Sequence, residues 1–200
     1  MKNSLIILAF FCSGIAFGLL PHFSKLVSLA NFSIYVLYLL MFLVGIGVGS
    51  NSNAWSVIKT LKVKILFIPI SIAVGTLLAV GLLSLLIPGI NLKESLAIGS
   101  GLGYYSLASI LITQLYGEKL GLLALLTNIF RESLTLLFAP LLVRYFGKLS
   151  PIASGGVTSM DTSLSTIAKV SGKEVVLISI FSGVVLTILV PFLISFILTY

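Results

Sequence analysis

Two adjacent charges, Arg131 and Glu132, stand in the middle of Leu120–Val143, a run that is otherwise nearly all apolar. Neither can easily reach an interface, and ionisable residues this deep in an apolar segment are costly unless they face a pathway or a partner. Asn128, Glu132 and Thr135 fall on one helical face by their spacing. Arg131 projects about 100° away from Glu132, towards another helix. A carboxylate so placed suits a cationic substrate or a proton; the plainer reading is a buried structural pair with a Lys or Arg elsewhere.

Two further segments carry polar chemistry. Gly155-Gly156-Val157-Thr158-Ser159-Met160-Asp161-Thr162-Ser163 surrounds one carboxylate with hydroxyls. Gly-Gly ahead of Thr-Ser-x-Asp can open a half-helix whose N–H groups bind an anion, or whose cap is Ser159 or Asp161. The alternative is an exposed loop with an N-cap aspartate. Gly99-Ser100-Gly101-Leu102-Gly103-Tyr104-Tyr105-Ser106 alternates glycines that each weaken a helix by about 1 kcal/mol relative to alanine. A broken helix would use them, because its freed amides and carbonyls can face a polar ligand; close packing through small residues is the alternative. Glu94, Glu118 and Glu174 sit beside Lys93, Lys119 and Lys173 and read as interfacial charge partners or helix-end residues. That leaves Glu132 and Asp161 as the carboxylates with a membrane-embedded role.

No enzyme is expected. The chain has one histidine and one cysteine, no zinc-ligand spacing, and no Lys-Ser or Lys-Thr after Gly99–Gly103 to complete a phosphate loop. Serines in the broken segments would suit a membrane protease, but no base accompanies them. Neither metal nor cofactor is implied.

The elements that must position these groups follow from composition. Hydrophobic residues make up 58% of the chain and charged residues 8%, with a mean hydropathy of +1.23. Soluble domains are about half apolar and roughly a quarter charged, so the fold class expected is all-α, a polytopic transmembrane helical bundle over residues 1–200 with six to seven membrane segments. Alternating strands are absent from the sequence, which argues against an outer-membrane barrel. Apolar runs cover Ser4–Leu20, Ser33–Gly49, Ile65–Ile87, Ser95–Leu115, Leu120–Val143, Ser154–Val170 and Val175–Tyr200. Pro21 and Pro88 close the first and third. Ser95–Leu115 and Ser154–Val170 are the interrupted runs, broken or re-entrant. Lys2 before Leu5–Leu20 imitates a signal peptide, but further spans follow and no small-residue cleavage pattern stands out, so a retained helix is expected.

The net charge of +7 is spread between apolar runs rather than along a stripe, which marks topology and not nucleic-acid binding. Lys59, Lys62 and Lys64 form the densest basic loop, so Asn51–Lys64 is expected in the cytoplasm, with Lys2 inside and Lys25 and Lys93 outside. If all seven runs cross, Lys119, Lys169 and Lys173 fall inside and Arg144 and Lys148 outside. If the interrupted runs re-enter, Arg144 and Lys148 move inside and Lys119 outside. Both arrangements put the N-terminus in the cytoplasm and the C-terminus outside, and charge counting does not separate them. Trp55 fits an interfacial anchor, His22 a surface position, and Cys12 a small apolar filler with no disulfide partner.

Ser100-Gly101-Leu102-Gly103-Tyr104-Tyr105-Ser106-Leu107, Asn128-Ile129-Phe130-Arg131-Glu132 and Gly155-Gly156-Val157-Thr158-Ser159-Met160-Asp161-Thr162 resemble, in this order, the signature segments of the lysine exporter LysO family. The resemblance runs over essentially the whole chain. It implies a multi-pass inner-membrane exporter of L-lysine and toxic analogues such as thialysine, an antiporter coupled to H+ or Na+ and bathed in membrane lipid. It also implies a distant link to the cation–proton antiporter and bile-acid transporter folds. The substrate and ion contacts expected are Glu132, Asp161, Asn128, Arg131, Ser159, Thr158, Gly101, Gly103, Tyr104, Tyr105, Ser106 and Gly156. Two other functions fit the same helices: a holin-like or other metabolite transporter, and a non-transporting structural subunit.

One departure from the family is visible. Single-chain members resemble this sequence over their later two-thirds and carry a further N-terminal membrane segment of roughly 90 residues, several spans' worth, with an acidic residue after its Gly-Ile run. Here Leu43-Val44-Gly45-Ile46-Gly47-Val48 is followed by Ser50-Asn51-Ser52-Asn53, without a carboxylate. The expectation is that a small separate membrane subunit supplies the missing helices and the second acid.

Overall fold

The computed structural model describes residues 63–86 and 89–200, with isolated positions before them. The first two apolar runs lie almost wholly outside the described residues, as do Cys12, His22 and Trp55. The chain divides into two compact units, Met1–Ile46 and Gly47–Tyr200. In the first, the described positions Ser13, Tyr35, Tyr38, Leu39, Phe42, Leu43 and Ile46 are helical.

In the second unit a 3-10 turn, Val63–Leu66, leads into α1, Phe67–Ser84. Pro69 lies in its first turn, where a missing amide costs no helical hydrogen bond. Helix α2, Leu92–Gly99, opens on a capping box: Asn91 Oδ1 accepts the Glu94 amide at 2.8 Å, and Glu94 Oε2 accepts the Asn91 amide at 2.9 Å. Then come α3, Tyr105–Tyr116, and α4, Glu118–Phe146, separated by Gly117 alone. After Gly147 the chain forms α5, Ser150–Gly155, a 3-10 turn, Gly156–Met160, and α6, Leu164–Ser171. A last 3-10 turn, Lys173–Val175, starts α7, Val176–Thr199. No strand occurs among the described residues.

Three described segments are long and apolar enough to cross a bilayer: Phe67–Ser84, Glu118–Phe146 and Lys173–Thr199. They coincide with the apolar runs that begin at Ile65, Leu120 and Val175. Their outward faces carry Phe67, Leu78, Leu82, Leu122, Phe130, Leu137, Phe192 and Phe196, a surface that matches hydrocarbon rather than water. Between lipid-exposed helices there is little hydrophobic drive to associate, so close backbone approach and polar contacts must hold them. Gly121 illustrates this: a Cβ there would come 2.9 Å from the Ser109 carbonyl oxygen and 1.9 Å from Thr113 Oγ1, so α3 and α4 touch at backbone distance.

The two interrupted runs turn back on themselves. Tyr116 Oη, at the end of α3, donates to Glu94 Oε1 in the first turn of α2 at 2.9 Å, across 22 positions of sequence. A straight helix would hold those positions about 33 Å apart. The segment therefore leaves and returns at one end of the unit, as a helical hairpin with its bend at Ser100–Tyr104. The second run does the same. Lys148 Nζ and Glu174 Oε1, which flank α5 and α6, form an ion pair at 2.6 Å, with the bend at Gly156–Ser163. Helix α4 joins the two hairpins, so their feet lie at its opposite ends. Its 29 residues span about 43 Å.

Candidate functional site

The hairpin bends meet beside the middle of α4, and one contact between them is backbone to backbone. The Val157 amide donates to the Leu102 carbonyl at 2.9 Å. Two glycines permit the approach. Gly156 has φ +64, and a Cβ on it would lie 2.1 Å from the Leu102 oxygen; Gly103 has φ +96, and a Cβ on it would lie 2.5 Å from the Gly155 oxygen. Any side chain at either position would be forced into the other hairpin's main chain. Leu102 itself, wholly buried, holds φ +47. A non-glycine residue in this region costs on the order of 1–2 kcal/mol, which the surrounding contacts must offset.

Helix α4 clasps each bend with one side chain. Asn128, buried, accepts the Gly103 amide on Oδ1 at 2.8 Å and donates from Nδ2 to the carbonyls of Ala124 at 2.9 Å and Ile98 at 3.4 Å. One amide thus serves the Gly103 donor and adds to the Ile98 carbonyl, which also accepts the Gly101 amide at 3.3 Å, where α2 stops. Arg131 does the corresponding work on the second hairpin. Its Nε donates to the Ser154 carbonyl at 2.7 Å, and Nη2 donates to the Ala153 carbonyl at 3.0 Å and Thr76 Oγ1 on α1 at 3.3 Å. A guanidinium on the last carbonyls of α5 meets both their unpaired acceptors and the negative end of the helix. Thr135 Oγ1 and Ser154 Oγ share a further hydrogen bond at 2.7 Å.

The second bend is also tied to α7. Ser179 Oγ donates to the Ser159 carbonyl at 2.7 Å, and a Cβ on Gly183 would strike Met160 at 2.5 Å. Thr158 Oγ1 donates to the Gly155 carbonyl at 3.0 Å, Ser159 Oγ to the Gly156 carbonyl at 2.7 Å, and Ser163 Oγ to the Thr158 carbonyl at 2.9 Å. Irregular backbone at membrane depth needs this kind of internal satisfaction.

The groups left uncommitted are few. The first-turn amides of α3, on Tyr105, Ser106 and Leu107, donate to no carbonyl among the described residues, as the geometry of a helix start requires. Asp161 is exposed; its carboxylate takes the Thr162 amide and lies close enough to the Tyr104 phenol to interact with it electrostatically. Glu132 is part-buried and forms no hydrogen bond or ion pair among the described residues. At the feet of the first hairpin, a cavity of about 340 Å³ is lined by Glu94, Tyr116, Glu118, Lys119, Leu120 and Leu123 among others. The Asn91 amide, and after it the Tyr116 hydroxyl, hold the Glu94 carboxyl below the usual carboxylate range.

Of the residues the sequence singled out, Gly101, Gly103, Asn128, Arg131 and Gly156 are brought together at the meeting of the bends, with Tyr104, Tyr105 and Ser106 following and Thr158 and Ser159 beneath. Glu132 projects from the same stretch of α4 as a separate, unpaired group. Neither Ser159 nor Asp161 caps a helix: Ser163 stands at the start of α6, without a side-chain cap. The amide after Gly155-Gly156 faces Leu102 rather than open space. Glu174 pairs with Lys148, not with its neighbour Lys173, and Glu94 caps its own helix instead of pairing with Lys93. Adjacent residues on a helix point about 100° apart and do not face each other. Sequence reasoning missed Thr76, Ser154 and Ser179, whose only signal is a hydroxyl inside an apolar run.

A family model described as lysine exporter LysO matches residues 8–198. The lysine exporter LysO of Escherichia coli K12 is 33% identical over 162 residues, covering 81% of this chain and 53% of the relative. A putative lysine exporter of Haemophilus influenzae is 31% identical over 164 residues, covering 82% of this chain and 83% of the relative. The chain thus spans about half the length of the E. coli protein and most of the H. influenzae one. No solved structure matches.

Proposed function

The chain belongs to the lysine exporter LysO family, and from that premise we propose that it forms the membrane-embedded path of an inner-membrane exporter of L-lysine and analogues such as thialysine, coupled to H+ or Na+ as an antiporter. The observation that carries this reading is the division of labour at the bends: Asn128 and Arg131 are spent on backbone, while Glu132, the Oδ2 of Asp161 and the first-turn amides of α3 are not. Lysine brings two ammonium groups and one carboxylate. In this reading the carboxylate docks on the amides of Tyr105 and Ser106 at the positive end of α3, and Asp161 with Tyr104 receives an ammonium. Glu132 takes the second cationic group or the coupling ion.

The N-terminus is cytoplasmic and the C-terminus outside, by the sequence's lysine bias. A small membrane subunit of roughly 90 residues, enough for several spans, completes the path in this reading. Its co-purification with this chain would support that partnership, and full transport by this chain alone in vesicles would remove it.

The central test is export of labelled lysine from proteoliposomes. Glu132→Gln is expected to abolish export without lowering stability, because no partner is lost. Normal export with an unchanged pH dependence would remove Glu132 from the mechanism. Expression that confers no thialysine resistance would argue against lysine as the substrate.

A further inference from the structure

The geometry points to two re-entrant hairpins that enter the membrane from opposite faces and seal it where their bends touch, with the Lys148 feet on the cytoplasmic side. This arrangement does not depend on the substrate. Tyr116–Glu94 closes the first hairpin and Lys148–Glu174 the second, so neither segment ends on the side opposite to where it started. No single arm is long enough to cross alone. Helices α2 and α3 have 8 and 12 residues, and α5 and α6 have 6 and 8. At 1.5 Å per residue these reach about 9 to 18 Å, against a hydrocarbon core of about 30 Å.

The feet are separated by the length of α4, and Asn128 and Arg131, which hold the two bends, lie near its middle. Each arm therefore reaches about halfway, and the Val157–Leu102 contact falls at mid-depth. Helices α1 and α7 agree with this frame. Ile65, just before α1, packs with Phe181 and Ile178 of α7, which puts the start of α1 at the Lys148–Glu174 end. At its other end, Gly81 of α1 lies against Leu92 and Leu96 of α2.

Charge then fixes the sides. Lys64, Arg144, Lys148, Lys169 and Lys173 belong to the end carrying the second hairpin's feet, against the single acid Glu174. The first hairpin's feet carry Lys93 and Lys119 balanced by Glu94 and Glu118. Lysine and arginine are retained on the cytoplasmic side, so the second hairpin rises from the cytoplasm. The first descends from outside, and the cavity at its feet is the external mouth. A crossing arrangement would put Arg144 and Lys148 outside with Lys93; opposed hairpins put them inside with Lys64, Lys169 and Lys173, and leave outside Lys93 and Lys119, each beside an acid.

The test uses single cysteines in a Cys12→Ser background, probed with a membrane-impermeant thiol reagent in right-side-out and inside-out vesicles. Lys93→Cys and Lys119→Cys should both label from the outer face alone, and Leu149→Cys and Lys173→Cys from the cytoplasmic face alone. Labelling of Lys93→Cys and Lys119→Cys from opposite faces would overturn the inference, as would opposite faces for Leu149→Cys and Lys173→Cys. Epitopes inserted at Gly117 and Gly172, read by antibody in the same vesicles, give an independent answer if a cysteine variant fails to accumulate. Both on one face would likewise overturn it. For the seal, Leu102→Cys with Val157→Cys should cross-link with a short bifunctional thiol reagent. Two well-accumulated, individually reactive cysteines that never cross-link would show that the bends do not meet.

Discussion

The two hairpins solve one problem with different chemistry. Each must leave helix ends unpaired inside the membrane, and each is served by a side chain from α4. The first is held by Asn128, a neutral amide that gives and takes hydrogen bonds within its own neighbourhood. The second is held by Arg131, a cation on two carbonyls with a further bond to Thr76 of α1, and α7 adds the Ser179–Ser159 bond. By side-chain hydrogen bonds, the first is thus held from one helix with neutral groups, and the second from three, partly with charge. The hairpin with fewer hydrogen-bonded anchors is also the one whose α3 amides remain free.

Four substitutions test this contrast. The largest effect is expected where the hairpins touch. Gly156→Ala places a Cβ against the Leu102 backbone at positive φ, a strain of more than about 3 kcal/mol, so little folded protein should be recovered by size-exclusion chromatography in detergent. Arg131→Ala leaves the Ala153 and Ser154 carbonyls without donors and should cost about 2–4 kcal/mol, read as a fall in thermal stability. Asn128→Ala removes one acceptor and one donor from the first bend, at about 1–3 kcal/mol. An Asn128→Ala loss equal to or above that of Arg131→Ala would erase the difference between the hairpins. The smallest effect belongs to the feet. Lys148→Ala breaks an ion pair whose side chains are more than 60% exposed (64% and 62%) and should change stability by less than about 1 kcal/mol, less still in high salt.

The first hairpin's foot has a pH dependence of known sign. Because the folded Glu94 carboxyl titrates below its ordinary value, its contribution is complete above that value and disappears as pH falls through the lowered one. Acid should therefore loosen the first hairpin's foot, and Tyr116→Phe should weaken that dependence; an unchanged acid profile in Tyr116→Phe would show that the hydroxyl does not hold the foot.

Much of this arrangement is legible in the sequence, because membrane spans and helix breaks are local signals. The apolar runs mark α1, α4 and α7, and the glycines at 99–103 and 155–156 mark both bends. The spacing of Asn128, Glu132 and Thr135 announces a polar stretch of α4. What the sequence does not carry is direction. Whether a broken helix continues or folds back depends on pairings such as Tyr116 with Glu94 and Lys148 with Glu174, which link positions 22 and 26 residues apart. The lysine count is compatible with both topologies for that reason. The same limit hid the partners of Arg131: its depth in α4 is evident, but a guanidinium suits a carboxylate ligand as well as a helix C-terminus.

The backbone contact between Leu102 and Val157 has an electrical consequence. If water reaches each bend from its own side, the insulating layer there is not the full thickness crossed by α4. It narrows to the few ångströms around one hydrogen bond, and the membrane voltage falls mainly over that distance. A monovalent cation passing this point experiences about 2.3 kcal/mol per 100 mV in one local rearrangement of the bends, not gradually along a tunnel. In the proposed exporter, moving a cation out against an inside-negative potential then depends on a small displacement of two loops, and its rate should vary steeply with voltage.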